Sequence, residues 1–130
     1  MAAILSFRDL KVYQTARTEA RRLFETTRAF PAEEKYSLTD QIRRCSRAVN
    51  ATTAEAWAKR RFQAAFPDKI NEALGEAMAT QAWLDHALDR GYLNKTSHHE
   101  FDAAGQSVDA MLPRMMDRAD TFCLKPSSHT

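Results

Sequence analysis

The chain has 130 residues, with 19 Lys and Arg against 17 Asp and Glu, three Gly and four Pro. This length fits one domain that buries its core without a disulfide or metal, and the lack of alternating β-branched runs argues against a sheet. No stretch approaches the roughly 18 apolar residues of a membrane span, and the first residues do not resemble a signal peptide, so we expect a cytoplasmic protein with Cys45 and Cys123 reduced.

The first predicted helix covers residues 7–29. Ser6 can cap it and Asp9 follows three residues later, which is the spacing of a capping box. Pro31 ends it, because the residue before a proline avoids the α conformation. Spacings of three and four predict one core-facing stripe. Its members are Leu10, Tyr13, Ala16, Ala20, Leu23, Phe24 and Thr27.

The second predicted helix covers residues 38–61 and has two stripes. At about 100° per residue, one stripe faces the core and the other lies outside it. Because Ala lets helix backbones approach closely, the outer stripe suits contact with another helix. The core stripe is Ile42, Cys45, Val49, Thr52, Thr53 and Ala56, and the outer stripe is Ala51, Ala54 and Ala58, bordered by Arg43, Arg44 and Arg47.

The third predicted helix covers residues 66–90. Pro67 fits its first turn, where a missing N–H is not needed, and Gly91 fits the position just after its end. The predicted core stripe is Ile70, Ala73, Leu74, Ala77, Gln81, Leu84 and Leu88.

The fourth predicted helix covers residues 98–121. Ser97–Glu100 has the capping-box pattern, and Pro113 inside the helix is expected to kink it. Residues 124–130 are expected to form a frayed tail. The predicted core stripe is Phe101, Ala104, Val108, Met111, Leu112, Met115, Met116 and Ala119.

Four long helices joined by short connections predict an all-α, antiparallel up-down-up-down four-helix bundle in a single domain, residues 1–130.

The charge is divided between the two halves of the sequence. Residues 7–29 and 40–62 carry net charges of +3 and +4, whereas residues 63–90 and 97–123 each carry −3. The halves can neutralise each other within one bundle, or the basic half can face a polyanion or the acidic half of a neighbouring subunit.

Motifs for catalysis or cofactors are missing from the sequence. No Glu precedes a His by three residues, as di-metal bundles require, and no glycine-rich phosphate loop or nucleophile elbow is present. We therefore expect no enzyme activity, no metal and no cofactor. The basic groups on the second helix admit three interpretations: a solvated surface, a helix or subunit contact, or a phosphate-binding surface.

Four segments carry a resemblance to a known family. LTDQIRRCSRAV (38–49), AEAWAKRRF (54–62), GEAMATQAWLDHAL (75–88) and DRGYL (89–93) resemble the bacterial four-helix-bundle proteins encoded within intervening sequences of 23S ribosomal RNA genes. A retroelement accessory variability protein is related to them. The resemblance implies a ring-like homopentamer with no catalytic residues and no cofactor. In the related protein, a basic pentameric barrel is associated with nucleic-acid binding.

The sequence departs from the family pattern at Thr52 and Thr53, where an amide and an apolar β-branched residue are usual. From the polar, alanine-rich seam we predict the following subunit-interface candidates: Arg43, Arg44, Arg47, Ala51, Ala54, Glu55, Ala58, Glu76 and Gln81. Lys59, Arg60 and Arg61 are the nucleic-acid candidates. Two interpretations stay open: an oligomeric RNA- or DNA-binding protein, and a scaffold that binds a protein partner and no nucleic acid.

Overall fold

The computed structural model describes residues 4–123, and this part of the chain is helical without a strand. The protein is therefore an all-α helical bundle. Its α-helices are α1 (Lys11–Thr27), α2 (Asp40–Ala58), α3 (Ala65–Asp89), α4 (Lys95–Asp117) and the short α5 (Ala119–Phe122). Two 3₁₀ turns, Phe7–Asp9 and Ala32–Glu34, and a π-helical segment, Lys35–Thr39, complete the order.

Each long helix packs against two others: α1 contacts α2 and α4, and α3 contacts α2 and α4. The core has two clusters of buried apolar residues. One includes Val12, Val49, Phe66, Ile70 and Leu112. The other includes Leu23, Ile42, Leu84, Leu93 and Phe101. A helix that spans a membrane needs a long apolar segment, and no helix within residues 4–123 meets that requirement.

The capping box predicted at Ser6 is present, but it caps a 3₁₀ turn rather than α1. The Ser6 hydroxyl accepts the Arg8 N–H at 3.1 Å, and Asp9 Oδ2 accepts the Ser6 N–H at 3.0 Å. Leu10 is extended and buried, and α1 begins after it at Lys11. The predicted start at residue 7 thus combined two helical pieces into one.

The predicted end of α3 is confirmed. Gly91 adopts φ 76°, the left-handed conformation that glycine accepts without a Cβ clash. The Tyr92 N–H donates to Ala87 O at 2.9 Å and the Gly91 N–H to Leu88 O at 3.0 Å, which is a Schellman motif. This turn brings Leu93 into the core.

The predicted start of α4 is wrong. Asn94, not Ser97, is the N-cap: its backbone is extended, and its side-chain oxygen accepts the Ser97 N–H at 2.7 Å. The helix begins at Lys95, four residues after Gly91. It continues through Pro113 to Asp117, and the frayed tail predicted for residues 124–130 lies outside the described residues.

The bounds of α2 differ from the prediction at both ends. Before it, Lys35–Thr39 forms a π-helix, in which the Asp40 N–H donates to Lys35 O, and buried Leu38 and Thr39 anchor the segment. At the other end α2 stops at Ala58, three residues before the predicted end at residue 61.

The core stripes were predicted correctly for the residues nearest the bundle axis and incorrectly at their edges. Five of the six predicted members of α2 are buried: Ile42, Cys45, Val49, Thr53 and Ala56. Several others are only half-buried because they lie toward a helix edge: Tyr13, Ala20, Phe24, Thr52, Leu74, Gln81, Leu88, Ala104, Met111, Met116 and Ala119. The prediction missed these buried residues: Val12, Glu19, Ser46, Phe66, Thr80, Ala87 and Gly105.

Candidate nucleic-acid interface

The predicted nucleic-acid residues Lys59, Arg60 and Arg61 lie in the turn after α2, not on the helix itself. Arg60 folds back onto the helix. Its Nε donates to Trp57 O at 2.8 Å, and its guanidinium carbon lies 3.5 Å from the centre of the Trp57 ring. Arg61 is exposed, whereas Lys59 and Arg60 are half-buried. This turn therefore offers fewer free cations than the sequence suggests.

The predicted alanine stripe lies on the outer side of α2. Ala51 and Ala58 are exposed and Ala54 is half-buried. Arg44 and Arg47 are exposed on the same side of the helix. The structure thus brings five of the predicted interface residues onto one surface made of small side chains and two arginines.

Arg43 and Glu55, two other interface candidates, have partners within the chain. Arg43 reaches across to α1, where its Nε donates to Thr27 Oγ1 at 2.9 Å and its Nη2 to Phe24 O at 3.3 Å. Its guanidinium also lies 4.3 Å from the centre of the Phe24 ring. Glu55 forms a 3.1 Å ion pair with Lys69 of α3.

Glu76 and Gln81 also contact neighbouring helices of their own chain. Glu76 lies against the thiol of Cys45, and the pKa of that thiol is raised by burial first and by Glu76 second. Gln81 Nε2 donates to Asp102 Oδ1 of α4 at 3.1 Å. Both side chains therefore join α3 to other helices of the bundle.

A basic groove, which the sequence analysis did not identify, runs between α1 and α2. Arg17 and Arg21 of α1 line it together with Arg47 of α2, and Tyr13, Ala20, Phe24 and Asn50 form the rest of its wall. Arg17 and Arg21 are four residues apart, so they lie on one edge of α1. This spacing was the available signal, but the prediction used only the apolar stripe and the net charge of α1, not the positions of its arginines.

The groove continues past the start of α2 as an open depression of about 590 Å³. Arg43, Arg44 and Arg47 line it, and Asp40 is its single acidic residue. Its remaining lining residues are Phe24, Tyr36 and Gln41. We call the two connected depressions the α1–α2 groove.

The positive charge of the α1–α2 groove is not neutralised within the part of the chain that the structure describes. None of the ion pairs found there includes an arginine of the groove. Arg44 Nη2 donates to Gln41 Oε1 at 2.9 Å, and Arg47 lies 5.4 Å from the centre of the Phe24 ring, both uncharged partners. The groove therefore presents a positive potential to solvent.

A buried acid, also absent from the sequence analysis, lies on the inner side of α1. Glu19 is only 8% exposed and lines a small cavity with Ser46, Thr80 and Gly105. It occupies a core position because Val12, Ala16, Glu19 and Leu23 follow helical spacing, a pattern that an apolar search does not detect. The close approach of α4 depends on Gly105, where a Cβ would lie 2.9 Å from Gln81 Cγ.

The surroundings of Glu19 disfavour its charged form. Burial is the main cause, and the carboxylate of Asp109 is the next, so the pKa of Glu19 rises from 4.5 to about 7. The nearby hydroxyls already donate elsewhere: Ser46 Oγ to Arg43 O and Thr80 Oγ1 to Glu76 O. The oxygens of these hydroxyls can therefore only accept a further hydrogen bond. A protonated carboxyl has an O–H to donate, whereas a carboxylate has no donor.

Among residues 4–123, no three His, Cys, Asp or Glu side chains are grouped so that they could hold a metal ion.

Comparison with known proteins identifies the family. None of the curated proteins matches the chain. The crystal structure of a Bacteroides thetaiotaomicron protein of unknown function from the S23 ribosomal protein family is similar, with a TM-score of 0.73 and 22% identity over 82% of this chain and 95% of that one. A family profile described as 23S rRNA-intervening sequence protein matches residues 8–114. The matched residues cover most of the chain, and the protein therefore belongs to the 23S rRNA-intervening sequence protein family.

Proposed function

We propose that the protein is a non-enzymatic homo-oligomer that binds nucleic acid through the α1–α2 groove. The observation that carries this proposal is the cluster of groove arginines without an ionic partner among residues 4–123. Arginines that lack a carboxylate can release the counterions of a polyanion and bind its phosphates. The expected cytoplasmic location stays a prediction.

We infer an antiparallel up-down-up-down arrangement of the four long helices, and contacts between their opposite ends support it. Thr27, at the end of α1, meets Arg43 near the start of α2. Glu55, near the end of α2, pairs with Lys69 near the start of α3. Late α3 meets early α4 in the 2.8 Å contact between Asp85 Oδ1 and His98 Nε2.

The oligomer is proposed to be a ring-like homopentamer, as the family resemblance implies. A ring needs a heterologous interface, in which two different surfaces meet. The outer side of α2, with its exposed Ala51 and Ala58, is one suitable surface, and the acidic α3–α4 half is the other. Repetition of the groove around a ring would strengthen binding through effective concentration.

The test compares two triple variants with equal changes in charge. Arg17, Arg21 and Arg47 are each replaced by Gln in the groove variant, and Lys59, Arg60 and Arg61 are each replaced by Gln in the turn variant. Gln is nearly as good a helix former as Arg. We measure binding of a labelled oligonucleotide by mobility shift at low and physiological salt, and the oligomer by light scattering.

We expect the groove variant to lose at least about tenfold in affinity and to show a weaker dependence on salt, while the turn variant loses less. The turn variant should keep the mass of the parent oligomer. Because Arg47 also borders the proposed α2 interface, a groove variant of lower mass is replaced in the comparison by the double variant Arg17→Gln and Arg21→Gln, whose residues both lie on α1. If only the turn variant loses affinity, Lys59, Arg60 and Arg61 are the binding residues, as first predicted from the sequence. If the parent protein gives no shift at low salt, nucleic-acid binding is refuted and the protein-binding scaffold is the better interpretation.

A further inference from the structure

We propose that the ligand of the α1–α2 groove is an unpaired nucleic-acid strand, and that Tyr36 stacks on one of its bases. This inference rests on the proposed function and adds the class of nucleic acid and the residue that selects it.

Tyr36 is an exposed aromatic side chain beside a cluster of cations. Its side chain is 75% exposed, although it lines the same depression as Arg43, Arg44 and Arg47. The other aromatic ring of this depression, Phe24, is covered: the guanidinium carbons of Arg43 and Arg47 lie 4.3 and 5.4 Å from its centre. Lys35 Nζ lies 5.4 Å from the centre of the Tyr36 ring, but the ring is mostly exposed, so it can still accept a planar ligand, whereas two arginines cover Phe24.

The backbone fixes the position of Tyr36. It belongs to the π-helical segment Lys35–Thr39, not to an irregular loop. Leu38 and Thr39 of that segment are buried, and the Asp40 N–H donates to Lys35 O. An aromatic ring held on an ordered helical segment loses less conformational freedom on binding than one in a loose loop. Single π-helical turns are frequent at functional sites.

The combination of an exposed ring and nearby arginines favours an unpaired strand over a duplex. In a duplex the bases are stacked on each other, so their faces are not available to Tyr36, and a protein can contact only the backbone and the base edges in the grooves. In a single strand, aromatic side chains stack on successive bases while cations follow the backbone. The amide nitrogen of Gln41, whose oxygen accepts from Arg44, is a further donor in the same depression.

The experiment uses the full chain and measures fluorescence anisotropy with four labelled probes of equal length: oligo(dT), oligo(U), a mixed-sequence DNA duplex and an abasic strand. The abasic strand keeps the phosphates and lacks the bases, so it separates stacking from charge. The variants are Tyr36→Ala and Tyr36→Trp. Phe62→Ala is the control, because Phe62 is 59% exposed in the α2–α3 connection, away from the groove.

We expect Tyr36→Ala to lower affinity for oligo(dT) and oligo(U) by about 5-fold or more and to leave the abasic strand and the duplex unchanged. Tyr36→Trp should retain binding, and Phe62→Ala should have no effect. The parent protein should bind the unpaired strands more tightly than the duplex. If Tyr36→Ala weakens binding of only one of these two unpaired probes, stacking is still supported. The affected probe then shows whether the stacked strand is DNA or RNA.

Two results would overturn the inference while the proposed function survives. One is equal binding of duplex and unpaired strands with no effect of Tyr36→Ala, which would mean that charge alone binds the ligand. The other is a change of oligomeric mass in Tyr36→Ala without a change in affinity, which would place a second copy of the chain on Tyr36. A parent protein that binds none of the four probes would overturn both proposals.

Discussion

Replacing Glu19 by Gln should stabilise the protein at alkaline pH and leave its stability nearly unchanged at acid pH. The side chain is 8% exposed, so solvent screens its charge little. Gln keeps the shape of the protonated acid and carries N–H donors into the cavity that Ser46 and Thr80 also line. The substitution therefore removes a charge that the folded protein disfavours.

The magnitude follows from the two pKa values. Each unit of pKa difference corresponds to 1.36 kcal/mol. A carboxyl that titrates at 4.5 when unfolded and at about 7 when folded thus lowers the free energy of unfolding by about 3 kcal/mol when it is ionised. The folded state binds the proton more tightly, so this loss is absent below pH 4.5, grows as the pH rises through this interval, and is complete above about 7.

Urea denaturation followed by far-UV circular dichroism, at about pH 4.5 and about pH 8.5 and at one protein concentration, measures the difference. The variant should be up to about 3 kcal/mol more stable than the parent at the higher pH. Glu25→Gln is the matched control, because Glu25 is exposed on the same helix, and its effect should be small at both values. A stability difference that does not depend on pH, or a variant that is less stable at the higher pH, would refute the argument.

Three further predictions concern the fold. Asn94→Ala should lower the free energy of unfolding by about 1 kcal/mol, while Ser97→Ala should change it little, because Asn94 caps α4; chemical denaturation of the two variants compares the caps. Leu23→Ala should cost about 3 kcal/mol in the same assay, since Leu23 is 0% exposed; a cost under about 1 kcal/mol would contradict its core position. A chelator should leave the thermal midpoint unchanged in a calorimetric scan, and a fall of several degrees would reveal a metal site.

The sequence predicted the order of the helices better than their ends. Periodicity predicts a helix from many residues at once, whereas an end depends on competition between a few local hydrogen bonds. Asn94 and Ser97 are both residue types found at N-caps, and the local hydrogen bond is the one in which the Asn94 side chain accepts the Ser97 N–H. At the end of α2, Arg60 Nε binds the carbonyl of Trp57, a group that a helix leaves free where it stops.

The candidate site was harder to predict because it depends on two helices at once. The sequence placed Arg43, Arg44 and Arg47 together on α2, but it could not show that Arg17 and Arg21 of α1 lie beside them. Glu19 escaped notice for a different reason. A buried carboxyl is rare enough that a search for apolar stripes excludes it, and its burial depends on small residues contributed by other helices, such as Gly105.

At the π-helical segment Lys35–Thr39, the direction in which Tyr36 points depends on the number of residues at the start of α2 as well as on their identity. A π-helical turn holds one more residue than an α-helical turn. Because that turn absorbs the extra residue, deleting one residue there would leave the residues before it facing nearly the same way. A deletion within the first turn of α2, which is α-helical, would instead rotate the residues before it by about 100° around the helix axis. Tyr36 would then leave the groove although every arginine was retained. In alignments of this family, a one-residue gap at the start of α2 would therefore indicate a different surface, whereas a gap within the π-helical segment would not.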